Sequence, residues 1–241
     1  MRTLLLSALL TVSSGAATPA AKIFQSGEAP VPLVELFTSE GCSSCPPAER
    51  WMGELRFDDK LWRDFVPVAW HVNYWDRLGW PDKFADRAYT DRQYAYAQKW
   101  KSRSVYTPGL VRGGEEWRIR DGGLDETGFA QGGALKVSVA GENVSVNFDA
   151  PELGSKDLQV NVARLGGGIA SNVHSGENRG KKLEHEFLVM GWIQQPLRAG
   201  KAFLHLPEFD STVKAPRQAI AVWISRANDP TPIQATGGWL N

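Results

Sequence analysis

Cysteine is scarce in this chain of 241 residues: there are two, Cys42 and Cys45, three positions apart. With no second pair, a four-cysteine structural zinc site within one chain is impossible. Excess charge is also missing, because 27 Lys and Arg balance 27 Asp and Glu. That balance argues against a basic nucleic-acid binder and against a polybasic membrane patch. Beyond the N-terminus nothing resembles the ~20-residue apolar run of a membrane-spanning helix. Internal repeats and low-complexity tracts are absent. What remains is ordinary globular composition, 42% hydrophobic and 22% charged, in a length that suits one large domain or two modest ones. Tryptophan is abundant, at ten residues, and suggests aromatic packing before an aromatic groove.

Residues 1–17 combine Arg2, a short apolar run from Leu4 to Val12, and the small residues Ser13, Ser14, Gly15, Ala16 and Ala17. This pattern is expected of a secretory signal peptide cleaved near Ala17, with Ala16 or Ala20 also fitting, and the apolar run is too short to anchor in a bilayer. A periplasmic or secreted bacterial location follows, and it places both cysteines in an oxidising compartment. Residues 18–30, small, polar and proline-containing, read as a linker.

From residue 31 the pattern alternates between strands and helices. Strands are expected at 31–37 and 65–72, and a helix follows the cysteines over 48–55. Thr90 with Gln93 reads as a capping box opening a helix to about residue 101. Short strands are expected at 105–111 and 117–119, then a helix over 125–131. Residues 31–132 are therefore expected to form an α/β domain, a mixed sheet flanked by helices. After Gly132 and Gly133 apolar residues alternate with polar ones, as in Leu135, Val137 and Val139. This period of two predicts an antiparallel β-sandwich domain over 133–241.

The cysteine pair carries the clearest chemistry. Disulfide exchange needs a thiolate to attack and a nearby thiol to resolve the mixed disulfide. Cys42 and Cys45 at a helix start supply both. The helix dipole and terminal N–H groups are expected to favour the Cys42 thiolate, making Cys42 the exposed nucleophile and Cys45 the buried resolving thiol. A purely structural disulfide is the alternative, but so short a loop constrains the unfolded chain by only about 2 kcal/mol.

The strand, the Cys-Ser-Ser-Cys turn, the helix start and the later Thr107-Pro108 together resemble the thioredoxin superfamily. That resemblance implies a thioredoxin-like fold for the first domain, with Pro108 as a cis-proline against the disulfide and Thr107 as its backbone neighbour. It also implies that Glu35 is a buried proton relay; a strand glutamate facing water is the alternative. More narrowly, the run from Val34 through Cys42 to Ala48 resembles an exported bacterial thioredoxin-like family catalogued as domain of unknown function 1223. So do His71-Val72-Asn73-Tyr74-Trp75-Asp76, Leu78-Gly79-Trp80, Val105-Tyr106-Thr107-Pro108 and Gly176-Glu177-Asn178-Arg179-Gly180. The resemblance implies fold and export, and no substrate.

His71 ends the second expected strand and shares a rim with Cys42 if the two strands are parallel neighbours. It would then support the thiolate or join it as a metal ligand; the alternative is a hydrogen bond within the Trp75-Asp76 loop. Trp75, Asp76 and Trp80 line a groove beside the cysteines or simply pack the connection. His174, His185 and His205 lack metal-site spacing and are assigned core or surface roles. The segment from Gly176 to Gly180 reads as an ordered polar loop that docks on the first domain or a partner. The leading expectation is thiol–disulfide oxidoreduction on thiol- or disulfide-bearing proteins or small thiols. No cofactor, resident metal, nucleic acid or stable membrane span is expected. The rivals are a copper-binding or copper-delivery protein using Cys42, Cys45 and His71, and a non-enzymatic binding module.

Overall fold

The structure is a computed structural model that describes residues 20–118, 124, 132–154 and 157–241. The expected leader over residues 1–17 and the expected helix over 125–131 lie outside the described residues.

Strands β2 (Leu33–Thr38) and β3 (Val66–His71) are parallel neighbours, in register from Leu33 beside Val66 to Thr38 beside His71. Every residue of both is buried, which is why they read as near-continuous apolar runs. Strand β4 (Gly109–Arg112) pairs antiparallel with β2, and the short β5 (Glu115–Glu116) closes that edge. Alternation along β2 sends Glu35 and Phe37 to one face and Thr38 to the other. Helix α2 (Arg87–Lys99) covers the first face, where Arg92 and Tyr96 meet Glu35. Helix α1 (Pro46–Glu54) covers the second, where Glu49 meets Thr38. The start of α2 is not the expected capping box. Asp86 is the N-cap and accepts a hydrogen bond from the Ala88 N–H at 2.7 Å, while Thr90 is buried inside the helix and bonded to Asn73.

The expected thioredoxin-like α/β domain, a mixed sheet flanked by helices with a separate β-sandwich behind it, is overturned. Among the described residues there are fourteen strands and only two α-helices, and the strands form several sheets. The largest sheet has eight strands and draws them from both sides of residue 132. On the side of β3 away from β2 lies β11 (Leu188–Pro196), with Leu188 beside Ala69. From β11 the sheet continues antiparallel through β8 (Leu158–Gly167), β13 (Arg217–Arg226) and β14 (Asp229–Trp239). A buried strand cannot leave one row of its N–H and C=O groups unpaired. Here the Ala69 N–H donates to the Phe187 carbonyl at 2.8 Å.

A second sheet has the order β1-β6-β7-β12, from β1 (Lys22–Gln25), β6 (Ala134–Ala140), β7 (Asn143–Asp149) and β12 (Lys201–His205). In β6 and β7 the inward residues alternate as expected, and Leu135, Val137, Val144 and Val146 pack on Val160, Val162, Ile220 and Val222. Strand β1 corrects the linker reading of residues 18–30, since it pairs antiparallel with β6 from Lys22 beside Val139 to Gln25 beside Lys136. The opposite face of β8 and β13 turns Ala163, Leu165, Ala221 and Trp223 into the main core beside Trp70. The ring centroids of Trp70 lie 5.2 Å from Trp192 and 6.1 Å from Trp223, so these tryptophans pack the core. The remaining strands, β9 (Ile169–Asn172) and β10 (Lys182–His185), form a ribbon that carries His185 and the loop between them to α1.

Candidate functional site

Cys42 and Cys45 are joined in a disulfide in the turn between β2 and α1. The Cys42 N–H donates to the Ser39 carbonyl at 3.1 Å, and Cys45 is the N-cap of α1. Pro46 and Pro47 fill the first helical positions, where a missing N–H leaves no helical bond unmade. The next two N–H groups, of Ala48 and Glu49, both donate to the Cys45 carbonyl. The first turn therefore presents fewer free donors to a thiolate than a helix start normally does. The nearest side-chain partner is Ser44, whose Oγ lies 3.4 Å from Cys42 Sγ. The expected contrast between an exposed Cys42 and a buried Cys45 is absent: both are 0% exposed, while Ser43 and Ser44 between them face solvent.

The polar loop at residues 175–181 holds down the Cys42 turn. Asn178, itself fully buried, donates from Nδ2 to the carbonyls of Glu40 at 2.8 Å and Cys42 at 2.9 Å. Glu177 Oε2 accepts from the Ser43 N–H at 3.2 Å, and Ser175 donates to the Gly79 carbonyl. On another side Trp75 packs on Gly41, where an added Cβ would meet the Trp75 Cβ at 3.0 Å. The Trp75 Nε1–H donates to Thr107 Oγ1 at 2.8 Å, and the Thr107–Pro108 peptide is cis. Pro108 shares an open apolar groove with Ser44, Pro47, Ala48, Tyr106 and Trp117.

Beside this turn is a buried cluster of five ionisable groups: Glu40, Glu49, His71, Asp82 and His185. His185 lies between two carboxylates, with Nδ1 2.8 Å from Glu49 Oε2 and Nε2 3.1 Å from Glu40 Oε1. His71 Nδ1 is 2.6 Å from Asp82 Oδ2, and the two imidazole rings are 5.0 Å apart. Thr38 donates to the other oxygen of Glu49 at 2.6 Å, and Trp80 Nε1–H to the other oxygen of Glu40 at 2.7 Å. Burial disfavours the charged ring of His185, but its bonds to Glu40 and Glu49 and their charges outweigh that and push it up to about 10. Burial likewise raises Glu40, Glu49 and Asp82, but hydrogen bonds and the facing histidines hold all three below the ordinary carboxylate range. These directions favour the carboxylate forms of the three acids and the imidazolium form of His185.

A model of a family described as proteins of unknown function, DUF1223, matches residues 33–225, most of the chain. The chain belongs to the DUF1223 family. No curated protein matches it. Among solved structures it is similar to a crystal structure of a protein from Agrobacterium tumefaciens, at 23% identity and a TM-score of 0.53. That match covers 89% of this chain and 96% of the other. It is also similar to HBP35 of Porphyromonas gingivalis, at 13% identity and a TM-score of 0.55, over 88% of this chain and 76% of that one. These likenesses concern the fold alone.

The expected site residues of this DUF1223 protein divide into two groups. Cys42, Cys45, Thr107, Pro108, Trp75 and Trp80 gather around the disulfide turn, as the contacts above show. Asp76 supports the connection through its Oδ1, which accepts from the Asp82 N–H at 3.0 Å. His71 does lie at the end of a strand parallel to β2, and it is buried against Asp82, which belongs to the same connection as Trp75 and Asp76. Glu35 is buried, as the relay expectation has it, but on the face of β2 away from α1. It faces α2, where Arg92 donates to both of its oxygens at 2.6 and 3.0 Å and Trp70 Nε1–H donates at 2.8 Å. These partners and Tyr96 occupy its carboxylate on the face of β2 opposite to Thr38 and α1. Asn178 lies in the loop expected to dock on the first domain and does contact it, whereas Glu40, Glu49, Asp82 and the site role of His185 are not among the expected site residues. Two of them flank the cysteines in the sequence, and that proximity was the available signal.

Proposed function

We propose that Cys42–Cys45 is the exchange centre of an exported protein that passes electrons between thiols and disulfides. In the oxidised protein, a substrate thiolate attacks Cys42 Sγ, the Cys42–Cys45 bond breaks, and Cys45 leaves as a thiolate. A second substrate thiolate then attacks the substrate sulfur of the mixed disulfide and releases Cys42. The substrate is left as a disulfide, and the protein has gained two electrons and, on protonation, two protons. The reverse sequence oxidises the protein and reduces the substrate. Cys42 is the sulfur attacked because Cys45 caps α1, its carbonyl bonded to the Ala48 and Glu49 N–H groups, whereas Cys42 lies outside the helix in a turn bonded to Ser39, the Cys45 N–H and Asn178.

The observation that carries this reading is how the pair is covered. Both sulfurs are buried, but the loop over the Cys42 turn is pinned by polar bonds from Asn178 and Glu177, which open locally at modest cost. A disulfide kept only for stapling gains little from so short a loop. The resemblance to thioredoxins is confined in this reading to the disulfide turn and the Thr107–Pro108 segment, and makes no claim for the fold. The copper reading has less support, because the ligand atoms that converge among the described residues include neither sulfur. Trapping tests the proposal: Cys45→Ser should accumulate a mixed disulfide at Cys42 with a thiol-bearing peptide disulfide. Failure to trap any adduct in the folded variant would reject it.

A further inference from the structure

We propose that Glu49, His71 and His185 form a binding site for one divalent transition-metal cation, with zinc as its simplest occupant. Each offers one ligand atom, these atoms all lie within 4.8 Å of one another, and all three residues are buried. Two imidazoles and a carboxylate are a donor set that zinc accepts. The proposal goes beyond the exchange reading and does not depend on it.

The surroundings are those of a metal site. A histidine ligand is normally oriented by a carboxylate on its other ring nitrogen. Asp82 occupies Nδ1 of His71 and leaves Nε2 for the cation; Glu40 occupies Nε2 of His185 and leaves Nδ1. Thr38 holds one oxygen of Glu49, so the other is presented as a single ligand atom. Zinc bonds of ~2.0–2.1 Å in tetrahedral geometry place donors about 3.4 Å apart. No pair therefore has to close by more than about 1.4 Å on binding, while His185 Nδ1 and Glu49 Oε2, now 2.8 Å apart, open slightly.

Charge points the same way. Three carboxylates face two imidazoles within the cluster. The ion pairs of Glu40, Glu49 and Asp82 among the described residues all go to those two histidines. With carboxylates in excess over imidazoles, a dication placed among them meets more acceptors of opposite charge than the two rings supply. As the cation takes the lone pair at His185 Nδ1, the proton shared there with Glu49 leaves to solvent. The absence of sulfur from the set separates this site from a copper site at the cysteines.

The test uses the full, oxidised protein, stripped with a chelator and titrated with zinc against a chromophoric competitor, and separately with cobalt. The expected result is uptake of one equivalent, visible cobalt bands without a near-ultraviolet thiolate band, and a raised melting temperature. His71→Gln should abolish uptake, and Asp82→Asn should weaken it about 10- to 100-fold. His205→Gln, at an exposed position of β12, should change nothing. If His71→Gln fails to fold, Asp82→Asn and the wild-type cobalt spectrum still decide. No uptake by wild-type protein at micromolar zinc, uptake unchanged in Asp82→Asn, or a thiolate band in the cobalt spectrum would overturn the proposal.

Discussion

Replacing Asn178 with Ala should make the disulfide easier to reduce, because it loosens the loop that holds the Cys42 turn. The substitution removes three side-chain hydrogen bonds, of which one, from Lys181 to Oδ1, lies within the loop and two, from Nδ2 to the carbonyls of Glu40 and Cys42, hold the loop to the turn. At a net worth of about 1 kcal/mol for each of those two, the closed loop loses about 2 kcal/mol relative to the open one. Since 1.4 kcal/mol is tenfold, the open population should rise about 30-fold. Both sulfurs are fully buried, so a small thiol reaches them only from the open state. The rate of reduction by dithiothreitol under native conditions, followed by alkylation and mass measurement, should rise by about that factor when opening precedes attack. A urea titration separates local from global effects: the variant should unfold cooperatively, and its excess reduction rate should persist far below the midpoint. Glu177→Gln, which perturbs an exposed contact to Ser43, should have a much smaller effect. An Asn178→Ala protein that is reduced no faster than wild type would refute the role given to this loop.

Other substitutions probe other parts of the account. Glu35→Ala leaves Arg92 buried without its carboxylate and should cost about 3–5 kcal/mol in a urea titration, while Glu35→Gln, where folded, should leave the pH profile of exchange unchanged. A shifted profile in Glu35→Gln would restore the relay. Ser44→Ala removes the hydroxyl beside Cys42 Sγ and should slow alkylation of the reduced protein at neutral pH; an unchanged rate would show that the hydroxyl does not serve the thiolate. Gly238→Ala places a Cβ about 2.3 Å from the Phe24 ring and should displace β1, costing about 1–3 kcal/mol and exposing residues 20–30 to proteolysis. Unaltered resistance would mean that β1 is not docked as described.

Local patterns in the sequence were good guides wherever local physics decides. The apolar runs of β2 and β3, the proline-led helix after Cys45 and the alternation in β6 and β7 all have direct counterparts in the structure. Pairings across long separations were not legible. Nothing near Ala69 indicates that its partner is Leu188, so the eight-stranded sheet is not legible in the sequence and the chain reads as two folds. Strand β1 is half polar and exposed, and only its partner β6 makes it a strand. Glu35 illustrates the same limit within the site. Its place in a buried strand is readable, but its partner Arg92 lies 57 positions away on α2. His185 had no motif of its own, and its importance comes from Glu40 and Glu49, more than 130 residues earlier.

The central claim is that the Cys42–Cys45 disulfide is exchanged reversibly in the folded protein. Equilibration of the oxidised chain in graded ratios of reduced to oxidised glutathione, quenched with acid and counted for free thiols by mass, tests it most directly. The account predicts a single two-electron transition, superimposable from both directions, with far-ultraviolet circular dichroism unchanged across it. A disulfide that resists reduction until the protein unfolds, or that cannot be re-formed after reduction, would contradict the claim and leave the pair as a structural bond.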